Sequence, residues 1–125
     1  MKRQPKPAAI VTREYIVAQI KILGASVVIG RALAAIYRRQ TTEEQQHHTT
    51  ALLNGVGFTG FDAKIGSRCA EHFIATGQLL PWMVRVWSVP DKHGFPKVCK
   101  YVRQLNEIAY GRRRAKENCG QLSIS

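Results

Sequence analysis

Residues 12–39, TREYIVAQIKILGASVVIGRALAAIYRR, decide the fold class. Thr12 is a helix-capping residue type, and Ile16, Val17, Ile20, Leu23, Val27 and Val28 follow at helical spacing, continued by Leu33 and Ile36. Apolar side chains occupy most of the circumference, which is the pattern of a central helix that others pack around. Gly24 and Gly30 each cost about 1 kcal/mol of helix propensity relative to Ala. They mark either a break or a close helix contact. The β-branched runs also admit two short strands, but no turn dipeptide separates them.

Beyond Arg31, Tyr37, Arg38 and Arg39 comes TTEEQQHH, in which Thr41 and Glu44 stand three apart like a capping box, the start signal of a second, short helix. LLNGVGFTGFD then places Gly55, Gly57 and Gly60 after Asn54, a loop or tight turn. Thr59 and Asp62 have the spacing of another helix start. Ile65, Gly66, Cys69, Ala70 and Phe73 form its apolar face, opposite Lys64, Arg68 and Glu71, until Gly77 closes it. Pro81 suits the first turn of a helix, so WMVRVW is read as helix in preference to strand. SVPDKHG is a loop. Pro96 opens a last helix with Val98, Tyr101, Val102, Leu105, Ile108 and Ala109 on one face and Lys97, Lys100 and Arg103 on another.

The expected fold is therefore all-α, a compact bundle of about four to five helices around a central apolar N-terminal helix. Residues 1–11 read as a basic extended arm, 12–110 as a single helical domain, and 111–125 as a basic, frayed tail. A chain of 125 residues with 45% hydrophobic composition can build one core and is too small for two. The longest uncharged apolar stretch, residues 22–30, is half of what a membrane span needs. Three well-separated cysteines, Cys69, Cys99 and Cys119, fit a reducing cytoplasm better than a disulfide scaffold. Cys69 reads as a small core residue.

Net charge is +11, from 19 Lys and Arg against 8 Asp and Glu. Residues 1–40 carry +7, residues 41–95 carry −1 and residues 96–125 carry +5. Cationic ends on a folded domain suit a polyanion, because each neutralised phosphate releases counterions. Nucleic acid is the expected partner, DNA ahead of RNA, held with little sequence specificity by Arg31, Arg38, Arg39, Lys97, Lys100, Arg103, Arg112, Arg113 and Arg114. An acidic protein surface in a replication, recombination or defence complex is the alternative partner. A single binding groove requires the fold to bring both cationic segments to one face.

NGVGFTG has the outline of a phosphate-cradling loop, but it lacks the GKS or GKT ending and the third glycine spacing of the nucleotide-binding fingerprints. It reads as a structural turn with Phe58 and Phe61 plugged into the core, or as backbone amides at Asn54, Gly55, Gly57 and Gly60 that touch a phosphate. Tyr37 beside Arg38 and Arg39, and Trp87 beside a loop, are the stacking candidates for bases, whereas Trp82 and Tyr101 read as core. His47, His48, His72 and His93 form no zinc-type pairs, and several of the few acids serve as caps. No metal, cofactor or catalytic site is expected.

AQIKILGA at 18–25, NGVGFTGFDAKIG at 54–66 and CKYVRQL at 99–105 together resemble a small module found at the N-terminus of some phage helicases and in free-standing basic plasmid proteins. The matching positions are Gly57, Phe58, Asp62 and Gly66, then Lys100, Tyr101, Arg103, Gln104 and Leu105, over about 90 residues. The resemblance implies company with DNA as an accessory factor of a mobile element. It carries no helicase motor with it.

Overall fold

Gly24 is the break. A computed structural model describes residues 10–47, 57–60 and 62–124, with side chains described except at 42–47 and 114–124. In it the first apolar segment divides into α1 (Arg13–Leu23) and α2 (Ala25–His47). Thr12 caps α1 by accepting the Tyr15 N–H at 3.0 Å. Gly24 ends it at φ 95°, a conformation that a side chain would strain. Gly30 answers the other reading of the two glycines: it is a close contact inside α2, where a methyl group would overlap the Phe73 ring.

The remaining elements are α3 (Ala63–Thr76), α4 (Pro81–Ser88), a 3-10 turn (Lys97–Tyr101) and α5 (Val102–Ile124), with no strand among the described residues beyond a single bridge between Pro90 and Pro96. The fold is an all-α bundle. WMVRVW is helical, with Pro81 in the first turn of α4. Gly77 closes α3 in the left-handed conformation, its N–H donating to the Phe73 carbonyl at 2.7 Å.

Three expectations change. The hub is α2, which contacts α1, α3, α4, α5 and the 3-10 turn, while α1 lies to one side with Tyr15, Ile22 and Leu23 exposed. No new helix starts at Thr41. Its hydroxyl donates back to the Tyr37 and Arg38 carbonyls, so α2 runs unbroken to His47. The backbone beyond Tyr110 is helical to Ile124, so the segment read as a frayed tail extends α5. Of the arm at 1–11, residues 1–9 lie outside the described residues. Val11 packs at the edge of the core, and Asn106 Oδ1 accepts the Ile10 and Val11 N–H groups at 2.8 and 2.9 Å.

The core is built on Ile29, Leu33 and Ile36 of α2, Cys69 and Ala70 of α3, Met83 and Trp87 of α4, and Val98, Cys99, Tyr101 and Leu105 further on. Each large side chain buried there contributes about 1.5–3 kcal/mol. Phe58 enters from the glycine loop and meets two aromatic rings, Trp87 at 6.1 Å and Tyr101 edge-on at 5.6 Å. Phe61 lies outside the described residues. Burial pushes the Cys69 and Cys99 thiols above their ordinary range, which makes both poor nucleophiles. No helix among the described residues is long and apolar enough to cross a membrane.

Candidate nucleic-acid interface and the loop that borders it

The glycine loop is held from three sides. Gln104 on α5 grips Gly57 at both ends, its Nε2 donating to the Gly57 carbonyl and its Oε1 accepting the Gly57 N–H, each at 2.8 Å. Gln40 on α2 accepts the Phe58 N–H at 3.0 Å, and the Tyr101 hydroxyl accepts the Thr59 N–H at 3.1 Å. Gly57 sits at φ 89° against the Gln40 side chain, where a Cβ would stand 2.5 Å from Gln40 Oε1. The Phe58 ring lies on Gly66, where a Cβ would meet the ring at 2.6 Å. The N–H groups of Gly57, Phe58 and Thr59 are thus consumed within the protein. That corrects the reading of Gly57 as a backbone phosphate contact, and the structural turn is the form observed. Gly60 is exposed, and Asn54 and Gly55 lie outside the described residues.

Below the loop stands Asp62, 2% exposed. It occupies the cap position of α3 but makes no side-chain cap hydrogen bond. Its carboxylate is turned instead to Lys100 Nζ at 2.6 Å, the Tyr101 hydroxyl at 2.8 Å and Lys97 Nζ at 3.2 Å. Burial by itself would raise the carboxyl. The hydrogen bonds from Lys100, Tyr101 and Lys97 outweigh it and hold Asp62 below its ordinary value of 3.8. Burial, together with Asp62, pushes the Tyr101 phenol up to about 12, so it stays a neutral donor.

This network changes how the basic residues divide. Lys97 and Lys100, read from the sequence as phosphate contacts, both pair with Asp62, and Lys97 also lies over the Trp87 ring at 5.3 Å. Their first task is to neutralise a buried acid. Trp87 itself is fully buried and offers no face to a base, which overturns its reading as a stacking residue. It sits in the last turn of α4, where Phe58 and Tyr101 cover it. Tyr37 is half-buried, and its hydroxyl donates to Glu71 at 2.8 Å.

The arginines fall along two neighbouring helices. α2 and α5 run antiparallel, with Gln40 and Gln104 meeting at the loop, and Arg39 joins Glu107 at 2.6 Å. Further along, Arg31 and Arg112 line one groove between α1, α2 and α5. Arg31 and Arg38 are exposed and nearly two turns apart, on one shoulder of α2. Arg103 is 91% exposed in its side chain and lies one turn before Glu107, at 3.5 Å. Arg113 is exposed, and the side chain of Arg114 lies outside the described residues. Among the described side chains of α2 and α5, Glu107 is the sole acid.

Comparison with family models, with curated proteins and with solved structures returned no match. The geometry defines the class of the protein: a basic all-α domain whose glycine loop is locked by a buried aspartate network.

Proposed function

We propose that this domain binds nucleic acid, DNA in the first place, by its phosphate backbone and with little regard to sequence. One observation carries the reading: the Arg39–Glu107 pair clamps α2 against α5, so that the cationic segments from opposite ends of the chain become neighbours. Arg31, Arg38, Arg103 and Arg112 then offer guanidinium groups along one seam, where Glu107 is already engaged by two arginines. Arginine in such a row is suited to phosphate, since its planar fork matches the phosphate oxygens. The resemblance to the N-terminal segments of phage helicases supports the same partner and an accessory role in a mobile element.

The test is a fluorescence-anisotropy titration with random-sequence duplex between about 50 and 200 mM salt, a range over which several phosphate contacts cost orders of magnitude in affinity. Log affinity is expected to fall linearly with log salt. Affinity indifferent to salt, or absent, overturns the reading in favour of an acidic protein partner.

A further inference from the structure

Trp82 is the tryptophan of α4 that reaches the surface. It is half-buried, and with α3 it walls an open groove of about 690 Å³, within the size range of small-ligand sites. Lys64 and Arg68 stand one turn apart along the α3 wall, and the Arg68 guanidinium lies over the Trp82 ring at 5.8 Å. Ile65, 39% exposed, adds apolar surface. Glu71 closes one end, and its carboxylate accepts the Tyr37 hydroxyl, which joins the groove to α2 beside Arg38.

We infer that this α3–α4 groove is a stacking site for an unpaired base of single-stranded nucleic acid. The inference rests on the nucleic-acid reading above and adds a second, separate surface to it. A ligand for these walls has to combine an aromatic face with negative charge. The indole and the guanidinium plane supply stacking surface for the base, and Lys64 with Arg68 meets the adjoining phosphate. Glu71 keeps its negative charge while it accepts the Tyr37 hydroxyl, so the phosphate belongs at the Lys64 end of the groove, away from it. Bases inside a duplex are already stacked on each other and present no face to the groove, so only a single strand can use it.

The two tryptophans make the test direct. In Trp87→Phe, Trp82 is the only indole, and a short oligothymidylate is expected to quench its emission. An abasic deoxyribose-phosphate oligomer of equal length and a duplex are expected to leave it unchanged. If Trp87→Phe does not fold, the wild-type protein serves, because the fully buried Trp87 adds only a constant background. Trp82→Ala is expected to weaken single-strand affinity by roughly 5- to 150-fold while duplex affinity stays within about twofold of the parent. Equal quenching by the abasic oligomer, or equal weakening for single strand and duplex in Trp82→Ala, overturns the site. Single-strand binding without quenching also overturns it, and then salt-dependent duplex binding leaves the α2–α5 reading standing. Binding to none of these oligomers overturns both.

Discussion

Gln104 and Gly57 form a two-point clamp, carbonyl and N–H of the glycine both bonded to one side-chain amide at 2.8 Å. A single amide thereby replaces the two hydrogen bonds that a strand neighbour would give, in a protein with no sheet among its described residues. The clamp sets the height of Phe58 over Gly66 and, through Thr59, the position of the Tyr101 hydroxyl.

Gln104→Ala is expected to destabilise the domain by about 1–3 kcal/mol, since it leaves two half-buried backbone groups without partners. Gln104→Glu keeps an acceptor for the Gly57 N–H but has no donor for the carbonyl, so it removes one bond of the two. Urea midpoints of the two variants check the effect, with both expected below the wild type. A wild-type midpoint in Gln104→Ala would show that the loop closes without the clamp.

Gly66→Ala drives a methyl group into the Phe58 ring, and overpacking of this kind costs about 1–3 kcal/mol. Gly57→Ala adds a strained positive φ to a collision with Gln40, and is expected to cost at least as much. Gly77→Ala is the comparison, because nothing stands within 4 Å of its added Cβ and only the φ of 80° is strained. Thermal melts of the three variants should rank Gly77→Ala as the mildest.

Acid sensitivity follows from Asp62. Its folded pKa is depressed, so its contribution to stability is fully present above about 4, the unfolded carboxyl value, and is lost as pH falls through the folded value. Tyr101 has the opposite sign. Its folded pKa of about 12 is raised, so its contribution is complete below the ordinary 10.0 and is lost as pH rises toward 12. Stability from these two groups is expected to be flat between roughly pH 4 and pH 10. Asp62→Asn should lower the plateau and flatten its acid limb, read as urea midpoints against pH. An unchanged acid limb would place the sensitivity elsewhere. Asp62→Ala, which leaves the buried Tyr101 phenol without its acceptor while the part-exposed lysines turn to water, is expected to cost about 1–3 kcal/mol, a sizeable share of a small domain's stability.

The arginines and lysines should separate by assay. Arg38→Ala and Arg112→Ala are expected to reduce the salt slope of duplex binding, by about 0.9 for each phosphate that the variant no longer neutralises. Their melting temperatures should stay nearly unchanged, because neither arginine makes an ion pair among the described residues. Lys100→Met is expected to do the reverse, lowering the melting temperature by breaking its 2.6 Å bond to Asp62. Binding and melting measured on the same three variants check the division. A salt slope that drops only in Lys100→Met would move the interface from the α2–α5 seam to the loop.

The helices themselves were legible because their signals are local. Apolar residues three and four apart, Thr12 at a cap, Gly77 past an end and Pro81 at a start act within a turn or two of where they stand. Gly24 and Gly30 show where that legibility stops. Both weaken a helix equally by propensity, and only the Phe73 ring across the bundle shows that Gly30 is a contact while Gly24 is the break. Thr41 misled because a capping-box spacing inside an unbroken helix satisfies the hydroxyl by back-bonding to the preceding turn.

What the chain by itself determined is an all-α domain with basic ends and an aromatic-anchored glycine loop, since periodicity, charge and turn chemistry are properties of neighbours in sequence. What only the tertiary structure decided is which charges and rings are free. Lys100 reaches Asp62 across 38 residues, Arg39 reaches Glu107 across 68, and no spacing along the chain encodes either meeting. The same holds for the two tryptophans of α4, both close to cationic residues in the sequence: packing against Phe58 and Tyr101 buries Trp87, and the groove beside Arg68 leaves Trp82 within reach of a ligand. Burial and ion pairing depend on distance in space, which a sequence of local signals does not carry.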